Sequence, residues 1–409
     1  MFPYLGLRMI SGKAMREIDP NKPAPFPQET RDYTAYWQTV DKTTYRFDEN
    51  SKLIVVEGAH AIGKSKFAKE LAEELGMLYH PYPRMDDILI DGYGVDFRKY
   101  DEFMLPINRT YDEKDFARNP VGPVEGCGDR LHIDIYKEKF RSHLYALKHI
   151  FNTGQGVVME GCPASDYAYF DAAYNQGWID RESRKAYKEA CRMSLHRLMR
   201  PNLYIYLDAP VDVAMKNIQD RGNEWDKDSP VWTNKRYLTD IYTELKKNFL
   251  RDQQRHSRVL VYDWTVPGDI EIVVEDIEAL NFDFLEETDE QQKDWRLHTE
   301  EGYSIARYQY CNLQKRILLC QNIANQRILS CVNLWFDPEE VEHRENILNF
   351  IKSSRFQYGY NYPMGDKNIL FRGFPFQPKN LEANEKTNRW MTNRGLTRPQ
   401  WWYGDYEGI

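Results

Sequence analysis

The apolar positions of this chain switch between two spacings, and that switching predicts its elements. Leu53 to Val56 is an unbroken apolar run, short enough for a buried strand. Phe67, Ala68, Leu71, Ala72 and Leu75 then recur at helical spacing, and Gly76 stops the helix. Met77 to Tyr79 reads as a short second strand. From Leu131 the period is helical again, through Ile133, Tyr136, Phe140, Leu144, Leu147 and Phe151, until Asn152-Thr153-Gly154 ends it. Strands follow at Gly156–Glu160, Leu203–Asp208 and Val259–Asp263, separated by helical patterns over 181–199, 210–219 and 234–253.

Strands alternating with long helices predict an α/β fold with a five-stranded parallel sheet between two helical layers. Right-handed crossovers put the carboxyl ends of all the strands on one edge, where a ligand should sit. Glu57, Glu160 and Asp208 fall at such ends. Residues 82–128 lack periodicity and read as an insertion of loops and short helices.

Outside this core, Asp19 to Gln28 is proline-rich and extended, an arm rather than core. Residues 303–353 look helical. From Phe356 onward the chain is aromatic and rich in Gly and Pro, through Trp401, Trp402 and Tyr406. Such a stretch either lies on a partner with its rings as anchors or wraps its own domain. The expected division is an arm over 1–50, a nucleotide-binding body over 51–284 and a helical, then extended, region over 285–409.

The loop after the first strand carries the chemistry. Gly58-Ala-His-Ala-Ile-Gly-Lys-Ser65 fits G-x-x-x-x-G-K-[ST], the phosphate-binding loop. A chance match in a chain this long is expected roughly 0.01–0.02 times. Gly58 and Gly63 let the backbone, including His60 and Ala61, curl its N–H groups toward phosphate oxygens. Lys64 would reach the outer phosphates, Ser65 would ligate magnesium, and the helix start adds a positive dipole end. His60 stands at a variable position and is expected to face solvent.

Charge adds one qualification. The net charge of −8 is unevenly spread: Asp269 to Glu301 holds 13 acidic and 2 basic residues, and Arg355 onward 8 basic and 5 acidic. This argues against general nucleic-acid binding and for two surfaces with different neighbours, although the acidic stretch read alone is equally well a solvated one. No apolar run of about 18 residues suggests a membrane span. The six cysteines form no C-x-x-C pair and no zinc spacing, and no iron–sulfur ligation pattern is recognisable. They read as reduced thiols. The first sixteen residues, with Arg8, Lys13 and Arg16 and no acid, are as much like the end of a mitochondrial presequence as like a simple polar terminus.

Four stretches carry a family resemblance: Glu57 to Ser65, Thr153 to Glu160 before Ser165-Asp166, Pro201 to Pro210, and Tyr237-Leu238 through Phe249-Leu250. Over roughly residues 50–280 the chain resembles the deoxynucleoside kinases. Ile10 to Arg16, Lys66 to Leu75 and Tyr360 to Asp366 resemble one divergent branch, the kinase-like accessory subunits of mitochondrial respiratory complex I. The resemblance implies the P-loop kinase fold, mitochondrial matrix localisation, other complex I subunits as partners through peripheral association, and no flavin.

It also implies where chemistry has been lost. The kinases place a general base after strand two; here the position holds Tyr82, with Asp86 and Asp87 about one helical turn further on. Their acid–arginine–serine motif is Glu160-Gly161-Cys162. The glutamine that reads the base is His132. Their arginine-rich lid corresponds to Gln219 to Asp226, which keeps only Arg221 and contains Trp225, a ring read as packing rather than base-stacking. The expectation is a non-catalytic accessory subunit that supports assembly or stability. It would bind a purine nucleotide (ATP, ADP or a deoxynucleotide) through Gly58, His60, Ala61, Gly63, Lys64, Ser65 and Arg221, with magnesium on Ser65 and Glu160. The competing expectation is an active deoxynucleoside kinase.

Overall fold

The computed structural model describes residues 10–16, 22–28, 31–90, 96–226, 228–282, 289–324, 334 and 337–355. Among them, five parallel strands form one sheet in the order β2-β3-β1-β4-β5. These are β1 (Leu53–Gly58), β2 (Leu78–His80), β3 (Val157–Glu160), β4 (Leu203–Asp208) and β5 (Arg258–Asp263). All five strands stand within two residues of their predicted places.

β1 is central, and every one of its residues is buried. A strand hidden on both faces requires helices on both sides of the sheet, which is why its sequence is a continuous apolar run. Its register pairs Leu53 with Val157 and Ile54 with Leu203. The parallel order brings Gly58, Glu160, His80 and Asp208 to one edge.

The helix Lys64–Leu75 starts in the phosphate loop and buries Phe67, Ala68, Leu71, Ala72 and Leu75, the predicted apolar face. Gly76, in the left-handed region at φ 62°, ends it. The long helix Cys127–Thr153 begins four residues before the predicted Leu131 and ends at the left-handed Gly154. The insertion over 82–128 consists, where described, of short helices such as Asp86–Leu89 and Glu113–Arg118. The pattern over 234–253 is a helix with a widened π turn at Leu245–Phe249.

One expectation needs correction. The arm is extended, but it contributes to the core: Phe26 is 4% exposed and Tyr33 1%. The helical region after 300 is divided into Glu300–Cys311, Leu313–Ala324 and Pro338–Arg355. Asn312 breaks the first from the second by taking extended backbone. Its side chain and the Leu313 N–H both bond Asp32 of the arm, so a tertiary contact sets the break.

Arm and C-terminal helices meet over the end of the long helix. The Arg307 side chain is fully buried and bonds Asp41 Oδ2 at 2.8 Å and Asn152 Oδ1 at 3.1 Å. Its guanidinium also lies over the Tyr33 ring at 4.0 Å. Glu300 accepts from the Thr43 and Thr44 amides. Near the start, Ile10 is buried, Ser11 exchanges hydrogen bonds with Asn50, and the Lys13 N–H bonds Glu74. The aromatic stretch from Phe356 and Cys331 lie outside the described residues; the five described cysteines are free thiols.

Candidate functional site

The loop between β1 and its helix has the geometry that its glycines predict. Gly58 sits at φ 150°, and a Cβ there would lie 2.2 Å from the Leu207 carbonyl oxygen of β4. Only glycine permits that approach. Ala61 at φ 56° and Gly63 at φ 85° are both left-handed, as the curl requires. A Cβ on Gly63 would meet nothing within 4 Å, so the space over this end of the cradle is open.

Lys64 and Ser65 follow. The Lys64 amine donates to the Gly58 carbonyl at 2.9 Å. Desolvation lowers its pKa, and Glu57 and Glu160 oppose that shift. Ser65 Oγ donates to Glu160 Oε1 at 3.0 Å, and the Tyr79 hydroxyl donates to Glu160 Oε2 at 3.1 Å. Burial, then the Glu160 charge, pushes the Tyr79 hydroxyl up to about 12. Ser65 and Glu160 are therefore brought together as the sequence predicts. A hydroxyl and a carboxylate at the mouth of a phosphate loop are hard oxygen donors, which suits magnesium held by protein and phosphate together.

His60 does not face solvent. Its ring stacks on Tyr242 at 5.9 Å and touches the rings of Tyr169 at 5.6 Å and Trp232 at 5.1 Å. Its amide donates to the Tyr242 hydroxyl at 2.9 Å. Burial first, then the charges of Lys64, Arg221 and Lys139, hold its pKa well below the usual histidine value. The ring is thus neutral.

The lid differs as well. Arg221 is half exposed, and its guanidinium bonds Asp226 Oδ2 at 2.8 and 3.0 Å. Asp226 is 1% exposed, so the remaining lid arginine is tied to a buried acid of the same loop. The Trp225 ring faces the Lys114 amine at 5.1 Å.

On the acceptor side, the Tyr82 ring covers Gly161. A Cβ at Gly161, which has φ 74°, would lie 2.9 Å from Tyr82 Cδ2. The tyrosine thus occupies the room into which a side chain at 161 would project. Asp86 pairs with Arg98 at 2.7 Å, and Asp87 accepts from the Arg84 amide, so both carboxylates have local partners. His132 is 5% exposed, set edge-on between Phe116 and Phe170, and burial drops its pKa to about 4. No hydrogen-bond partner for its Nε2 occurs among the described residues.

Below Tyr82 lies a pair that the sequence reading did not single out. Lys139 and Asp166, each 1% exposed, meet at 2.7 Å. The Lys139 amine also faces the rings of Tyr82 at 5.0 Å and Tyr169 at 4.6 Å, and Tyr187 donates to Asp166 at 2.7 Å. Against the cost of desolvation, Asp166, Tyr82 and Glu57 raise the Lys139 pKa and keep it charged. Burial pushes the Tyr82 hydroxyl up to about 12, so it is no base near neutrality. Glu57, 2% exposed, is taken by the Cys162 amide at 2.9 Å and by Ser165 Oγ.

The arrangement can hold phosphate at one end. At the other, Tyr82 stands at the position expected of the base and Gly161 at that expected of the arginine.

Comparison with known proteins gives the chain a family. The deoxynucleoside kinase family model matches residues 125–295, from the long helix onward, and does not include the phosphate loop. NADH dehydrogenase (ubiquinone) 1 alpha subcomplex subunit 10, mitochondrial, of Mus musculus is 33% identical over 266 residues, 63% of this chain and 69% of that protein. Its counterpart in Bos taurus is 31% identical over 274 residues, 66% and 76%. Deoxyguanosine kinase of Dictyostelium discoideum is 22% identical over 240 residues, 59% and 73%. Among solved structures, deoxyadenosine kinase from M. mycoides with bound dATP shares 15% identity over 56% of this chain and all of that one, at a TM-score of 0.35. At 33% identity over an alignment that covers 69% of the mouse protein, the chain belongs to the family of NADH dehydrogenase (ubiquinone) 1 alpha subcomplex subunit 10.

Proposed function

We propose that the chain is an accessory subunit of mitochondrial NADH:ubiquinone oxidoreductase, with a kinase-like body that holds a nucleotide without spending its phosphate. Family membership supports the accessory role, the mitochondrial location and other subunits of the complex as partners. We place it on the matrix side, associated peripherally; no described helix is long and apolar enough to cross a membrane. The working division remains arm, kinase-like body and C-terminal region.

One observation carries the non-catalytic part: Tyr82 lies over Gly161, at the two positions where the resemblance to the kinases implies a base and an arginine. Phosphoryl transfer depends on positioning and charge neutralisation. Loss of a positioned base alone typically costs 10²–10⁴-fold in rate. The ligand would be a purine nucleotide, its phosphates on Gly58, His60, Ala61, Gly63, Lys64 and Ser65, with Arg221 at the lid. Magnesium, where bound with it, would use Ser65 and Glu160 and neutralise phosphate charge.

Native electrophoresis of solubilised inner membranes tests the assignment. The chain should comigrate with NADH dehydrogenase activity, and its absence from that band would overturn it. An active deoxynucleoside kinase is the second reading, favoured by the intact loop and Glu160 and opposed by the acceptor side.

A further inference from the structure

We infer that the Tyr242 hydroxyl is an internal stand-in for a phosphate oxygen, so that nucleotide enters the loop by displacing it. This rests on the reading of the loop as a nucleotide site and adds a mechanism to it.

A phosphate loop binds through backbone N–H groups between its glycines, its lysine amine and its Ser hydroxyl. In this structure, donors of all three kinds already have internal acceptors. The His60 N–H donates to Tyr242 at 2.9 Å, Lys64 to the Gly58 carbonyl at 2.9 Å, and Ser65 to Glu160 at 3.0 Å. The lysine and serine can reorient about their own side-chain bonds. The His60 amide belongs to the backbone and cannot.

Tyr242 is fixed in that position. It is 3% exposed, its hydroxyl also lies 3.2 Å from His60 Nδ1, and the two rings stack at an interplanar angle of 21°. The cradle is therefore open at Gly63, where a Cβ would meet nothing within 4 Å, and latched at His60. A phosphate oxygen is charged and a stronger acceptor than a phenol, so it can win the amide. The phenol then has to turn away. Tyr242 stands on the helix Lys235–Glu244, which runs directly into the π turn Leu245–Phe249. Such turns are frequent at functional sites, and this one gives the helix an irregular point beside the latch.

The test is isothermal titration of the full chain with magnesium-ADP and magnesium-ATP, comparing wild type, Tyr242→Phe and Lys64→Ala. Tyr242→Phe removes the competing oxygen and should bind roughly 3- to 10-fold tighter than wild type, the range of one ordinary hydrogen bond. Lys64→Ala should bind more weakly. Equal or weaker binding by Tyr242→Phe, with wild-type binding intact, would overturn the latch and leave the nucleotide site standing. Binding by Tyr242→Phe alone would support it. No binding by any of the three would overturn both. Hydrogen exchange at the nucleotide-free His60 amide gives a second readout: it should be faster in Tyr242→Phe than in wild type, and an unchanged rate would overturn the latch.

Discussion

The Tyr82 ring lies so close over Gly161 that a Cβ on the glycine would stand 2.9 Å from the ring. The two positions are one feature: a tyrosine where a base is expected, and a glycine that makes room for it. Gly161→Ala therefore carries two penalties, the left-handed backbone at φ 74° and the contact with the ring. It should destabilise the fold by about 1–3 kcal/mol. Tyr82→Ala should relieve the ring contact but not the backbone strain. A double-mutant cycle by chemical denaturation should show positive coupling; strict additivity would mean that the ring does not constrain residue 161.

Arg307 ties the arm to the body. It is fully buried, and one guanidinium serves Asp41, Thr43 and Asn152. Removing it would leave the buried Asn152 and Thr43 side chains without this donor, while Asp41 keeps Arg46. Arg307→Ala should cost about 1–3 kcal/mol and open residues 31–46 to limited proteolysis. Arg192, an exposed residue paired with Glu189, is the control: Arg192→Ala should leave stability and proteolysis as in wild type.

Acid should weaken the fold through buried histidines. Burial lowers His132 and His143 to about 4, and His60 also falls well below 6.5. The unfolded chain takes up these protons first as pH falls. Stability is therefore full above about 6.5 and is lost between there and about 4. Asp129 works the other way: burial raises it to about 6, so the folded state gains its proton first. Burial lowers His149 as well and raises Asp32, Glu113 and Asp115, so the two effects oppose each other and the single-residue difference is the test. Measured against wild type, His132→Gln should lose less unfolding free energy between pH 7 and pH 5, and an identical loss would remove His132 from the acid response.

Nucleotide should stabilise the chain through Lys64. A ligand at 100 times its dissociation constant adds about 2.7 kcal/mol. Magnesium-ADP or magnesium-ATP should raise the melting temperature of wild type and not of Lys64→Ala. An equal shift in both would remove the loop from the binding site.

What could be read from the sequence follows the range of each signal. The strands and the phosphate loop were legible because periodicity and glycine spacing are local. Ser65 and Glu160 were legible as partners because the loop after β1 and the end of β3 meet on one edge of a parallel sheet. His60 was misread because the rings that enclose it, Tyr169, Trp232 and Tyr242, arrive from distant segments. Lys139 left a signal that could have been used: a lysine between Tyr136 and Phe140 on the inward stripe of the long helix. Its acid, Asp166, and its rings are set by tertiary packing. Asn312 likewise breaks a helical pattern through Asp32, some 280 residues away.

The central claim is that this kinase-like body binds nucleotide and does not transfer its phosphate. The most direct measurement incubates the purified chain with γ-labelled ATP, magnesium and a full panel of nucleosides, and follows label transfer. The account predicts bound nucleotide and no labelled nucleoside monophosphate above background. Transfer that Lys64→Ala abolishes would contradict it.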